Sequence, residues 1–181
     1  PPRSTLFPYT TLFRSGLPGV AVAAADVRTL ASPADFRSAL LEHIALARRR
    51  IILAALYLQD DAAGREVLEA IYAARAAHPE LQIAIFVDWH RAQRGLVGKA
   101  ASAGNAALYT EMARRHGPGV PIHGVPVQAR EWMGVMHLKG FVIDDSVLYS
   151  GASLNDVYLH RGDRYRLDRY HLISSRALAD S

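Results

Sequence analysis

The 181-residue chain contains no cysteine, which excludes disulfides, thiol nucleophiles and cysteine-ligated zinc, and agrees with a reducing compartment. Long apolar runs are lacking too. Stretches such as Ile51 to Leu58 and Ile83 to Val87 fall far short of the ~20 residues a membrane-spanning helix requires, so any membrane contact is expected to be peripheral. Charge of one sign is scarce: the formal net charge of +4 falls to +2 without Arg3 and Arg14. There is no repeat period and no low-complexity tract. What remains is a chain with half its residues hydrophobic, enough to bury one core.

The first fifteen residues stand apart from the rest. Leu6-Phe7-Pro8-Tyr9-Thr10-Thr11-Leu12-Phe13-Arg14-Ser15 resembles the translation of a sequencing-library adapter, and Pro8 with two arginines interrupts any apolar core that a secretory signal would need. Residues 1–15 are therefore expected to be an artefact, the fold to occupy 16–181, and the true N-terminus to be missing.

Along the remainder, Ser32-Pro33-Ala34-Asp35 reads as a helix start, and Phe36, Leu40, Ile44 and Ala47 recur at helical spacing, predicting a helix from Pro33 to Arg49. Arg48, Arg49 and Arg50 then fit a helix C-terminus, where positive charge complements the macrodipole. Ile51 to Leu58 reads as a strand covered on both faces. Asp60-Asp61 opens a second helix with Val67, Leu68, Ile71 and Ala74 inward, Pro79 stops it, and Leu81 to Asp88 is a second strand parallel to the first. A loop from Trp89 to Gly98, a helix from Asn105 to His116, a short strand near Val120 to Ile122, strands Gly134 to Ile143 and Val147 to Ser150, and a later strand at Arg169 to Ile173 complete the reading. The predicted architecture is an α/β sandwich on a mixed sheet.

The chemistry concentrates in Met136-His137-Leu138-Lys139-Gly140-Phe141-Val142-Ile143-Asp144. Strand alternation puts His137 and Lys139 on one face, where they can address one phosphate. Phosphoryl transfer needs a nucleophile, a cation for the non-bridging oxygens and an acid for the leaving group; His137 and Lys139 supply the first two. The odd count to Asp144 sends its carboxylate to the opposite face, which predicts a supporting role.

His-x-Lys-x-x-x-x-Asp followed by a Gly-Ser-Asn cluster resembles the signature of the phospholipase D superfamily. Here the cluster is Gly151-Ala152-Ser153-Leu154-Asn155, with Asn155 one residue late and Ala152 in the usual serine position. The strings Val87 to Gly95, His137 to Tyr158 and Asp168 to His171 are similar to the Gram-negative phosphatidylserine synthases within that superfamily. The resemblance implies a phospholipase D-like α/β sandwich, one half of a two-lobed enzyme. It further implies transfer of a phosphatidyl group from CDP-diacylglycerol to L-serine through a phosphohistidine, with His137, Lys139 and Asp144 as the catalytic set and no cofactor or metal. Ser153 and Asn155 would contact phosphate. Such enzymes use two facing motifs and this chain carries one, so a missing C-terminal half or a homodimer partner is expected to complete the site. A cytoplasmic location, peripheral at an anionic inner-membrane surface, follows from the same resemblance.

Other residues carry weaker signals. Asp88 and His90 follow the C-terminal end of a buried strand, a favoured ligand position, and are candidates for substrate binding beside Arg91 and Arg94 for the pyrophosphate; a cap or loop-fixing role competes. Arg161, Arg164, Arg166 and Arg169 interleave with Asp163 and Asp168, which suggests surface ion pairs before lipid binding. Trp132 and Met133 read as core, and His160 and His171 match no metal-ligand spacing. Two alternatives stay open: a phospholipase D-like phosphodiesterase or nuclease completed by dimerisation, and an inactive fragment that only binds lipid or nucleotide.

Overall fold

In a computed structural model, residues 19–93, 104–126 and 136–181 are described. Chain order runs from a 3-10 turn (Ala24–Asp26) to strand β1 (Val27–Thr29), helix α1 (Pro33–Leu46), β2 (Arg50–Ala55), α2 (Ala62–Ala77), β3 (Gln82–Asp88), the single turn α3 (Trp89–Ala92) and α4 (Asn105–His116). There follow β4 (Ile122–Val125), β5 (Gly140–Ile143), β6 (Ser146–Ser150), β7 (Tyr170–Ser174) and a last turn, α5 (Arg176–Ala179). The strands form one seven-stranded mixed sheet in the order β1-β7-β6-β5-β2-β3-β4. One side is parallel, β2 with β3 and β3 with β4; the remaining pairs, those of the central β5 included, are antiparallel.

Local sequence explains most boundaries. Ser32 caps α1 by accepting the Asp35 N–H, with Pro33 in the first turn, and Asp61 caps α2 by accepting from Gly64. Gly117, at φ 93°, ends α4 in a conformation that glycine adopts without a side-chain penalty. The crossovers β2-α2-β3 and β3-α4-β4 both step toward the same sheet edge, so right-handed connection lays both helices on one face. There Phe36, Leu40 and Ile44 of α1, Val67, Leu68 and Ile71 of α2, and Leu108 and Met112 of α4 join Ile51, Leu53, Ile85, Phe141, Ile143, Leu148 and Leu172 in one buried cluster. Phe36 stacks on Tyr170 at 5.0 Å between ring centroids and meets Phe141 at 5.9 Å.

The structure corrects several expectations. Strand β2 is not covered on both faces: burial alternates along it and Ile52 is 37% exposed, because the crossover helices share one side. Helix α1 ends at Leu46, so Arg48 and Arg49 lie beyond it and Arg50 opens β2. The loop expected from Trp89 starts instead as the turn α3, and the strand expected near Val120 begins at Ile122. Strand β1 was not foreseen; with three exposed residues at the sheet edge it has no hydrophobic pattern to betray it. Residues 1–15, Arg94, Trp132, Met133 and the start of the strand expected from Gly134 lie outside the described residues.

Candidate active site

Strand β5 begins only at Gly140, so His137 and Lys139 precede it in an unpaired segment instead of standing on a strand face as expected. Their side chains nevertheless converge: Lys139 Nζ lies 3.0 Å from His137 Nε2 and 3.4 Å from Nδ1. The imidazole is exposed, whereas Lys139 is only 7% exposed. Burial lowers the Lys139 ammonium pKa from its ordinary value, because a charge is held away from water, and the nearby Asp168 carboxylate opposes that shift.

Topology explains the neighbourhood. Carrying the β2–β5, β5–β6 and β6–β7 registers past their last pairs sets Lys139 in a row with Ala55, Ser150 and Tyr170. Ser150 pairs with Tyr170 in the β6–β7 ladder, and the Asp168 carboxylate, two residues before Tyr170, acts on the Lys139 charge at that end. The pair therefore sits at the end of the sheet where β2 and β3 finish, a usual place for ligand sites in α/β folds. Asp168, expected to be a surface ion-pair partner, instead accepts backbone N–H bonds from Gly151 at 3.2 Å and Arg169 at 2.7 Å. Gly151 permits this approach, since a Cβ there would fall 2.8 Å from Asp168 Oδ2. Sequence reading gave Asp168 no role beside the motif, although the string Asp168 to His171 carried part of the family resemblance, because its relation to the motif passes through strand pairings.

The remaining candidates fall into three groups. Asp144, five positions beyond Lys139 along the motif, lies at the other end of β5 and does not join the pair. Its carboxylate accepts the backbone N–H groups of Arg48, Arg49 and Arg50 at 2.9, 2.8 and 3.0 Å, and its own φ is 49°. Burial alone would raise its pKa, but those three N–H bonds and the Arg49 charge outweigh it and hold the carboxyl below its ordinary value. Ser153 is buried. Asn155 turns its Oδ1 to the Tyr158 N–H and its Nδ2 to the Tyr57 hydroxyl at 3.4 Å. His90 is exposed and Arg91 partly so. Asp88 takes the cap and loop-fixing role weighed beside substrate contact: it is 0% exposed, and each carboxylate oxygen is taken by a backbone N–H, from Arg91 at 2.8 Å and from Met136 at 2.7 Å.

Beyond the site, Asp61 Oδ2 accepts the Asp156 N–H while Asp156 Oδ1 accepts that of Ala63, tying the segment after the Gly-Ser-Asn cluster to the start of α2. Burial pushes the Asp61 carboxyl up to about 6, its backbone N–H bonds opposing. Among the described residues no cluster of His, Asp or Glu could hold a metal ion, and no helix is long and apolar enough to cross a membrane.

A mixed seven-stranded sheet with helices thus carries an exposed imidazole beside a buried lysine at one end. The fold agrees with that of Nuc, a phospholipase D family member from Salmonella typhimurium (TM-score 0.57, 16% identity, 85% of this chain and 86% of that one). No family model matches the chain. It is 55% identical over 165 residues to the CDP-diacylglycerol–serine O-phosphatidyltransferase PssA of Escherichia coli, a match covering 91% of this chain and 37% of the relative. The Haemophilus influenzae enzyme of the same name is 46% identical over 170 residues, with 92% and 37% covered. The crystal structure of phosphatidylserine synthase from Haemophilus influenzae superposes with TM-score 0.84 over 92% of this chain. A mouse mitochondrial CDP-diacylglycerol–glycerol-3-phosphate 3-phosphatidyltransferase is 30% identical over 169 residues, 84% of this chain and 30% of its own length. The chain is thus a homologue of the phosphatidylserine synthases, spanning 37% of the length of those relatives.

Proposed function

We propose that the chain contributes half of the active site of a phosphatidyltransferase that moves a phosphatidyl group from CDP-diacylglycerol to L-serine. The observation that carries the reading is the exposed His137 imidazole held 3.0 Å from the buried Lys139 ammonium, in a chain 55% identical to an enzyme named for this transfer. A ring nitrogen of His137 attacks the phosphorus of the diacylglycerol phosphate; the P–N bond forms as the bond to CMP breaks, and CMP departs with the electron pair. Lys139 offsets the charge gathering on the non-bridging oxygens, which is worth most where water is excluded. The serine hydroxyl, losing its proton to a base, then attacks the same phosphorus, and the P–N bond breaks to release lipid product and free imidazole. The acid and base for these steps belong to a second motif, on another part of a longer protein or on a second copy of this one.

The surroundings favour a lipid substrate. Leu138, 66% exposed, stands between His137 and Lys139, and Leu167, 68% exposed, precedes Asp168. Large apolar side chains so placed, with Arg164, Arg166 and Arg169 nearby in sequence, suit a site that faces an anionic bilayer from its cytoplasmic side. Ser153, Asn155, His90, Arg91 and Arg94 are the residues we assign to phosphate and nucleotide contact.

The test incubates the chain, alone and with a separately expressed C-terminal remainder of a phosphatidylserine synthase, with CDP-diacylglycerol and labelled serine. The expected result is labelled phosphatidylserine in the mixture, with an acid-labile phosphorylated chain that Ala at 137 abolishes. Transfer to glycerol 3-phosphate in preference to serine would change the acceptor and keep the chemistry. Hydrolysis of nucleic acid by the chain alone, with CDP-lipid untouched, would overturn the reading in favour of a self-completing phosphodiesterase.

A further inference from the structure

We infer that Asp88 is a positioning residue for the His137–Lys139 pair, acting through the backbone N–H of Met136; the inference rests on reading that pair as the phosphoryl-transfer centre. Burying a carboxylate completely is costly unless its oxygens find strong donors. One oxygen of Asp88 caps the short turn α3 through the Arg91 N–H. A serine or threonine would cap that turn as well without a charge to bury. The second oxygen reaches 48 residues along the chain to the Met136 N–H at 2.7 Å, and it is this contact that capping does not explain.

The connection has a defined geometry. Asp88 pairs with Val125 across the β3–β4 ladder, so the chain leaves the sheet beside Asp88 and re-enters the described structure at Met136 on the same residue's carboxylate. The Asp88 backbone is held in turn by its N–H bond to the Leu56 carbonyl at 3.2 Å. From Met136 to Lys139 there are no ladder pairs. The segment is secured behind by β5, where Gly140 pairs with Ala54, and in front by Asp88. Between those two fixed points stands His137, whose described side-chain contact is the one to Lys139. A nucleophile displaced by an ångström loses orders of magnitude in rate, so the front tie converts a loose lead-in into a defined attack position.

Asp88→Ser separates the two duties, since a serine retains the cap of α3 but lacks the second oxygen. Amide hydrogen exchange in the chain reads both contacts without any need for turnover. The expected result is a Met136 amide exchanging about tenfold or more faster, as loss of a charged hydrogen bond predicts, with Arg91 and the β2 amides little changed. The nuclear Overhauser contact between the His137 ring and the Lys139 ε-methylene should weaken in parallel. In the two-component transfer assay kcat should fall about tenfold to a hundredfold with KM nearly constant. Asp88→Asn, which leaves one acceptor for two donors, should give an intermediate effect. Unchanged Met136 exchange in Asp88→Ser would overturn the inference, as would equal loosening of Arg91 and all neighbouring core amides. Should both variants unfold, the unaltered chain decides: a slowly exchanging, downfield Met136 amide supports the tie, and a freely exchanging one overturns it. A chain that transfers no phosphatidyl group but shows the Met136 effect would refute the proposed function alone.

Discussion

At the Asp144 end of β5 a carboxylate accepts three consecutive backbone N–H groups, whereas at the Lys139 end an ammonium is buried against an exposed imidazole, with the Asp168 charge only partly offsetting that burial. Both ends belong to one eight-residue motif, yet the first charge is met by three donors and the second is disfavoured by burial. Reactive ends of proteins are commonly built at the expense of stability, because a group kept ready for substrate is a group left unsatisfied without it. The motif therefore combines a rivet with a tool, and the strand between them carries the alignment.

The largest effect that would break this contrast lies at the tool. His137→Ala is expected to abolish phosphatidyl transfer in the complemented assay, a loss on the order of 10⁴-fold or more for a covalent nucleophile, while its urea midpoint stays close to that of the unaltered chain. Residual acid-labile phosphorylation in that variant would show that another group accepts phosphorus.

Asp144→Ala should do the reverse, costing about 2–3 kcal/mol by chemical denaturation because three N–H groups lose a charged acceptor. Its folded pKa is depressed, so its contribution is fully present above the unfolded value of about 4 and is lost as pH falls through the lower folded value. Acid unfolding below pH ~4 should thus be less steep in the variant. An acid limb identical to that of the unaltered chain would remove the rivet.

Two smaller effects sharpen the comparison by sign. Asp61, raised to about 6, binds its proton more readily folded than unfolded. Stability should therefore increase as pH falls from 7 toward the unfolded carboxylate value of about 4, and Asp61→Asn should flatten that limb in urea titrations. Lys139, whose folded pKa is depressed, imposes a cost at neutral pH that disappears only as pH rises through the folded value. Lys139→Met should stabilise the chain by roughly 0.5–1 kcal/mol even as it inactivates; a destabilised methionine variant would mean that the ammonium is better satisfied than the contrast requires. The smallest effect is expected at Gly151, where Ala would press the Asp168 carboxylate aside and reduce transfer severalfold with little change in melting temperature.

Much of this was legible before any fold was in hand. Helical spacing with Ser32, Asp61 and Gly117 as end signals located the three long helices, and the apolar runs located β2 and β3 as a parallel pair, since these rest on periodicities local to the chain. His137 and Lys139 do meet, and Asp144 lies apart from them, but not by the strand alternation that was expected, because β5 begins only at Gly140. The Arg48–Arg50 triplet misled because its role is played by backbone N–H groups that a side-chain reading cannot see. Asp88 stayed ambiguous between two roles, as a carboxylate after a strand looks the same whether it faces substrate or another stretch of backbone.

The sequence by itself determined the local elements and the candidate pair His137 and Lys139, since both depend on residues within a few positions of one another. Only the tertiary structure decided which backbone groups each carboxylate meets. Asp88 meets Met136, Asp144 meets Arg48 to Arg50, and Asp168 meets Gly151 through sheet register and chain crossings. Those distances along the chain carry no periodic signal, and the contacts exist only once burial has brought the strands side by side.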